Sequence, residues 1–383
     1  MADPNKKTKK VIRTFAAASF LNDLGSDIIY PIWPLFVITI LKANMAALGF
    51  LDGLGEALVS LSQAGSGYLS DRLRKRKVFI WAGYLFGSVS RLGYAISSVW
   101  PHLIPFRMMD RIGKIRSAPR DAIVADASAD ETRGKNFGLL RTMDHLGAVA
   151  GVLICICLVR VLEIRILFAL AALPSLASAL LIIQLIKEKQ PDQIKSHKRI
   201  SLRDLSQNFK LFLLLSSLFA LGAFSYSFLL IYAVRFGFKP TFVPVLYLVF
   251  TASSSFFSYP FGKLSDRIGR KPVLMLSFLL WAGVCVSFLV FQDHLVIILT
   301  FVLYGMHKGA LEPVQKTLVS EMAPSDFRAS CLGGFQMVVG LTALPASLMA
   351  GGLWEILGMF APFYISLALA LIACVLLLFV KEC

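Results

Sequence analysis

Charge is scarce in this chain of 383 residues: 16% are Asp, Glu, Lys or Arg, against 57% hydrophobic. Acidic residues are scarcer still, with 23 Asp and Glu against 39 Lys and Arg. Folded as a soluble protein, a chain of this length has no interior large enough to hide so much apolar surface, so lipid must be its solvent. Cysteine is sparse and scattered. Cys155, Cys157, Cys285, Cys331, Cys374 and Cys383 show no C-x-x-C spacing and mostly fall in apolar runs. They read as small hydrophobes, which excludes a disulfide framework and a metal site. A phosphate-binding loop and a nucleophile elbow are also lacking, so the chain is expected to be neither an enzyme nor a cofactor carrier. Polar stretches are too short to hold a soluble domain.

What is present is a series of apolar runs, each long enough to cross a bilayer. Twelve can be drawn, from 14–41 through 329–351 to 355–380. The expected fold is an all-α membrane protein with twelve transmembrane helices in two six-helix halves. Residues 1–186 make the first half, 187–208 a polar linker and 209–383 the second half. Within the linker, Ser201-Leu202-Arg203-Asp204 has capping-box spacing. A short interfacial helix and a solvated loop both fit it. The net charge of +16 is not spread evenly. Lys6, Lys7, Lys9, Lys10 and Arg13 precede the first run, Arg72 to Lys77 follow the second, and a third basic cluster fills the linker. With twelve crossings these fall on one side, so both termini are expected in the cytoplasm. The cations report topology; nucleic acid is not an expected partner. The basic N-terminus leads into a long run without a small-residue cleavage site, so that run is expected to be retained.

One motif occurs twice. Gly67-Tyr68-Leu69-Ser70-Asp71-Arg72-Leu73-Arg74-Lys75-Arg76-Lys77 returns as Gly262-Lys263-Leu264-Ser265-Asp266-Arg267-Ile268-Gly269-Arg270-Lys271-Pro272, at an offset of 262 − 67 = 195. The same offset matches Asp126 to Glu321, Arg133 to Arg328 and Gly138 to Gly333. Such a period means two related halves. The repeat resembles the loop 2–3 signature of the major facilitator superfamily, with Arg74 standing where that signature has glycine. Arg107-Met108-Met109-Asp110-Arg111-Ile112-Gly113-Lys114, together with an acidic first span and the Pro31 and Pro34 pair, is similar to a bacterial permease branch of it. The resemblance implies a multi-pass protein of the bacterial inner membrane, acting as a monomer. It also implies a solute cavity lined mainly by spans one, four, seven and ten. For Asp71 and Arg72, with Asp266 and Arg267 as counterparts, it implies a cytoplasmic gate, and Arg120, Asp121 and Asp126 sit at the same level. Gly147 and Gly151 keep part of the superfamily's antiporter signature, but Val152 replaces its proline; close helix packing is the simpler reading.

Charges inside the spans mark the candidates for chemistry, because each is costly in lipid. Asp23 and Asp27 are i, i+4 on span one, and Asp52 and Glu56 repeat that spacing on span two. Asp110, Arg141 and Asp144 add further charges, and Arg91 lies in span three. Asp110–Lys114 and Arg141–Asp144 have the spacing of helical ion pairs. We assign proton coupling to Asp23, Asp27, Asp52, Glu56, Asp110 and Asp144. Solute binding is assigned to Asp27, Tyr30, Arg107, Lys114, Tyr226, Lys308 and Glu312. Tyr232 and Tyr247 are further aromatic candidates, and His145 reads as a packing histidine. Asp110, Asp121 and Asp144 match Gly305, Lys316 and Val339 at the 195 offset, so these acidic sites are not duplicated and coupling is expected in the first half. The expected function is proton-coupled secondary transport of a small polar, charged organic solute, a metabolite or a metal-chelating acid, by alternating access. The alternatives are a proton-driven efflux pump for drugs or toxic metabolites and, from another class, a non-transporting receptor or scaffold.

Overall fold

A computed structural model describes residues 4–73, 75–128, 130–187, 205–324 and 328–382. Arg74, the side chain of Asp71 and linker residues 188–204, with the capping-box segment, lie outside the described residues. Everything regular is helical. In chain order come α1 (Pro4–Ile29), α2 (Trp33–Leu35), α3 (Met45–Leu73), α4 (Arg76–Ile96), α5 (Leu103–Ile112), α6 (Ser117–Ala127), α7 (Asp130–Leu158) and α8 (Ile164–Leu185). They are followed by α9 (Gln207–Gly222), α10 (Tyr226–Arg235), α11 (Val243–Ile268), α12 (Arg270–Val290), α13 (His294–Met322), α14 (Arg328–Leu341), α15 (Ala343–Leu357) and α16 (Ala361–Leu378). Among the described residues ten segments are long and apolar enough to cross a membrane. The α4 helix and the α5–α6 segment, both rich in cations, bring the number to twelve.

Proline and glycine explain where segments break. Pro31 and Pro34 have no N–H to give, and α1 gives way at Ile29 to a turn, then α2 and a π-helical stretch over Phe36–Ile40. Gly113 opens the 3₁₀ stretch Gly113–Arg116 between α5 and α6, and Pro119 lies in the first turn of α6. Gly113 is also forced by packing: a Cβ there would lie 2.7 Å from the Gly83 carbonyl oxygen on α4. Gly269, at φ 97°, ends α11 and starts α12 in a backbone conformation that side chains resist. The last two segments differ from the sequence expectation. The eleventh runs to Leu357 and the twelfth starts at Ala361, because Gly358 at φ 95° stops the helix later than 351.

Two compact units are defined by Cα packing: residues 1–42 with 58–196, and residues 43–57 with 197–383. The first turns of α3 therefore belong with the second unit. In the first unit α1 packs against α7 and α8, and α4 against α8. Gly147 and Gly151 make the α1–α7 approach possible. A Cβ on either would come within 2.3 Å of a backbone oxygen of α1, that of Phe20 or Leu24. Close helix packing is thus what this G-x-x-x-G pair does. Gly147→Leu is expected to cost at least the roughly 1–3 kcal/mol of an overpacked core, read as earlier heat-induced labelling of buried Cys155 on α7. In the second unit α11 packs on α13, and α12 on both α13 and α16. Its core is aromatic, with Tyr232 ringed by Phe288, Trp354 and Phe363 at centroid distances of 5.1, 5.6 and 4.8 Å.

Candidate functional site

In the first unit the span charges are sorted by the helices that carry them. Arg91 on α4 is 2% exposed, and its guanidinium donates to the Ala171 carbonyl at 2.8 Å, to the Ser175 hydroxyl, and to the Ser26 hydroxyl at 2.8 Å. This fork ties α4 to α1 and α8. Gly25 leaves room for it, since a Cβ would fall 2.3 Å from the Arg91 Nη1. Asp110 is the acid whose charge acts on it.

Next to this tie, the α5 arginines lie over aromatic rings. The Arg107 guanidinium carbon is 4.3 Å from the Trp33 ring centroid and that of Arg111 is 5.2 Å from the Tyr30 ring. Arg116 stacks on Tyr84 at 5.0 Å. Such contacts hold a cation in an apolar surround without neutralising it. Asp110 pairs with Arg111 at 3.5 Å rather than with Lys114, which acts on it only at longer range. The switch from α to 3₁₀ geometry at Gly113 removes the regular i, i+4 register that the sequence suggested.

A third cluster joins α1, α6 and α7. The Arg120 guanidinium donates to Asp121 at 2.9 Å and to the Ser19 hydroxyl at 2.8 Å, and its Nη1 stands 3.7 Å from the Asp144 carboxylate. Arg141 reaches Asp144 from the next turn of α7 at 3.4 Å, as its spacing suggested. Asp23 acts electrostatically on Asp144 from α1 and accepts a hydrogen bond from Asn22 at 2.8 Å. Arg120, read from sequence as a gate residue, thus lies inside an acid cluster. Asp27 is buried on the α1 turn that faces Gly151. His145, read as a packing histidine, is exposed on α7.

The second unit holds a smaller charged set. Lys308 on α13 sits 5.8 Å from the Tyr304 ring centroid, with Glu312 and Glu56 in electrostatic range. Tyr304 continues into a wall of rings: Phe250 at 5.2 Å, then Tyr247 and Tyr226, which lie 5.0 and 5.8 Å from Phe250. The sequence-derived Tyr226, Lys308, Glu312 and Glu56 are therefore brought together. Asp52 stands apart, accepting a 2.7 Å hydrogen bond from Ser225, the residue that caps α10. Tyr232 is core, its hydroxyl donating to the Phe288 carbonyl at 3.3 Å. His307 is fully buried, with Nδ1 2.8 Å from the Ser277 carbonyl oxygen.

The duplicated motif forms the same kind of pair in each unit. Arg76 meets Asp126 at 2.6 Å, and Arg270 meets Glu321 at 2.9 Å while also binding Asp266. The acids are the pair matched at the 195 offset. The arginines were missed: Arg72 and Arg267 were singled out, yet both are exposed and neither pairs with an acid among the described residues. The signal available was spacing: Asp266 and Arg270 stand four residues apart on either side of the Gly269 turn. Gly269, which supplies the turn, has Arg74 as its counterpart in the first copy. Among the described residues no group of His, Cys, Asp or Glu could hold a metal ion.

Broken apolar helices that carry buried, mutually compensated charges define a multi-pass membrane transporter. The sequence profile of the Major Facilitator Superfamily matches residues 15–253 and 211–382, and the chain belongs to that superfamily. It is 36% identical to an uncharacterized MFS-type transporter of Methanocaldococcus jannaschii, over 98% of this chain and 96% of that one. Its fold is shared with a mutant of the nucleoside transporter NupG, at a TM-score of 0.84 and 14% identity over 97% of this chain and 100% of that one. A bacterial homolog of the human lysosomal transporter Spinster, inward-facing and occupied, gives a TM-score of 0.78 at 14% identity, over 99% and 97% of the two chains.

Proposed function

We propose that this secondary transporter couples proton movement to the passage of a small organic anion by alternating access. The observation that carries the coupling is the Asp144 carboxylate, in electrostatic range of Asp23 and 3.7 Å from Arg120. Two carboxylates in electrostatic range of each other, on α1 and α7 in an apolar setting, make a place where a proton can bind and leave. Arg120 competes with that proton: when one acid ionises, the guanidinium can move onto it, and when the acid is protonated the arginine returns to Asp121 and Ser19. Such an exchange converts protonation into a change of helix contacts. Asp27 and Asp110 are the further acids of this unit, and Asp52 and Glu56 those of the second.

Solute recognition is assigned to Lys308 with Glu312, Tyr304 and Tyr226, and in the first unit to Arg107, Lys114, Tyr30 and Asp27. A cation stacked on an aromatic face keeps its charge and its donors, and can meet a carboxylate or phosphate with them. The excess of cations over acids from the start of α5 to the end of α6, five against three once Lys114 and Arg116 of the intervening 3₁₀ stretch are counted, favours an anion over a lipophilic drug. The Arg76–Asp126 and Arg270–Glu321 pairs are the breakable contacts of the gate, with Asp71, Arg72, Asp121, Asp266 and Arg267 around them. The basic clusters favour both termini on the cytoplasmic side of a bacterial inner membrane, with the chain acting as a monomer.

The test uses proteoliposomes with an imposed pH gradient and a panel of labelled carboxylates and phosphate esters. Wild type is expected to accumulate at least one of them. Lys308→Gln is expected to lose uptake of that solute while the protein melts at the wild-type temperature. Equal uptake by Lys308→Gln would remove Lys308 from the site, and no gradient-driven uptake of any panel member would contradict the reading.

A further inference from the structure

The second unit has a cavity of about 670 Å³ between α13 and α14, beyond the Lys308 cluster. The cavity is open on one side: of the polar side chains that line it, Lys316 and Gln336 are exposed and Ser320 is half-buried, and none of the three has a hydrogen-bond or ion-pair partner among the described residues. Thr317, by contrast, is satisfied by the Pro313 carbonyl at 2.9 Å. Among the described residues of the lining the one acid, Glu321, is already held by Arg270 at 2.9 Å. The cavity is thus left with an ammonium, a hydroxyl and an amide, all able to donate. Gly333 keeps it open, since a Cβ there would meet nothing within 4 Å.

We propose that this cavity is a binding subsite for an oxyanion, a carboxylate or a phosphate. Lys316 supplies the charge, and Ser320 and Gln336 supply hydrogen bonds. The volume suits a small organic anion. Lys308, Lys316 and Ser320 fall on one stripe of α13, with Lys316 about 12 Å from Lys308 along the axis at 1.5 Å per residue. An anion leaving Lys316 therefore meets Glu312 and then Lys308, so the subsite stands on the route to the proposed solute site. In this it rests on the reading of the solute as an anion. The arrangement of one lysine flanked by neutral donors suits weak, reversible holding, as a waiting position requires.

The experiment titrates inorganic phosphate into the full-length protein in phosphatidylcholine nanodiscs, with chloride keeping ionic strength constant, and reads the melting temperature. A saturable rise is expected in wild type. In Lys316→Gln the apparent Kd is expected to rise at least about tenfold, the size of one lost charge-assisted contact. Gly333→Leu, which fills the cavity and leaves Lys316 in place, is expected to remove the response. Lys308→Gln, which acts on the solute site, is expected to keep the part of the rise that depends on Lys316, so failure of the transport reading and failure of this one remain separable. The same titration in discs containing phosphatidylglycerol tests a lipid source of the phosphate. Disappearance of the response there would assign the cavity to a lipid headgroup and overturn the solute route. No saturable rise in wild type, a rise unchanged in Lys316→Gln, or a rise lost equally in Lys308→Gln would overturn the subsite.

Discussion

Arg91→Met is expected to leave a protein that fails to assemble its first unit. The substitution keeps much of the volume of the side chain and removes the fork that joins α4 to Ala171 and Ser175 on α8 and to Ser26 on α1. It also withdraws a positive charge that acts on Asp110, which is buried to 13% side-chain exposure. Breaking one side of a buried charge set costs about 3–5 kcal/mol, because the remaining polar groups stay desolvated. In lipid there is no water to take their place. That is a large part of the total stability of a domain. The measurement is the melting temperature of the purified protein, followed by labelling of buried Cys155. Arg91→Lys is expected to recover little, because one ammonium on a shorter reach cannot serve acceptors on two helices. A wild-type melting temperature in Arg91→Met would show that the fork is dispensable.

The second large effect is expected from Asp144→Asn. The amide keeps the shape of the side chain and can still meet Arg120, but it cannot take up or release a proton. Gradient-driven accumulation is therefore expected to fall to the level of empty liposomes. Counterflow, the exchange of labelled for unlabelled solute without a gradient, is expected to continue. This split separates a coupling residue from a structural one, since a misfolded variant would lose both activities. Asp23→Asn is expected to behave similarly but less severely, because Asp144 retains Arg120 and Arg141 as partners. Accumulation at the wild-type level in Asp144→Asn would move the coupling elsewhere among the span acids.

Much of this architecture is legible in the sequence, for identifiable reasons. Apolar runs of bilayer length can be counted directly, and the 195-residue offset links Asp126 to Glu321 before any contact is seen. The proline pair announces the break after α1, since proline both lacks an N–H and crowds the preceding turn. Other features depend on which helices come to lie side by side. That Arg76 and Arg270, rather than Arg72 and Arg267, reach those acids follows from how α4 and α12 leave the tight turn. One residue of register decides it, and the local pattern is basic at every position from Arg72 to Lys77 except Leu73. The partners of Arg91 are backbone carbonyls and serines, which carry no distinctive sequence signal. Residues 43–57 group with the second unit through contacts such as the Glu355 carboxylate on the Met45 amide at 2.7 Å, far apart in the chain. The Asp110–Lys114 spacing misleads because regular helical geometry stops at Gly113.

The measurement that tests the central claim most directly records solute and proton flux together. Wild-type protein is reconstituted with a pH-sensitive dye inside the liposomes, and a transported labelled anion is added with no imposed gradient. Proton coupling predicts an internal pH change that starts with solute entry, scales with it, and disappears in Asp144→Asn. Solute entry with no accompanying pH change, or a pH change of the same size in Asp144→Asn, would contradict it.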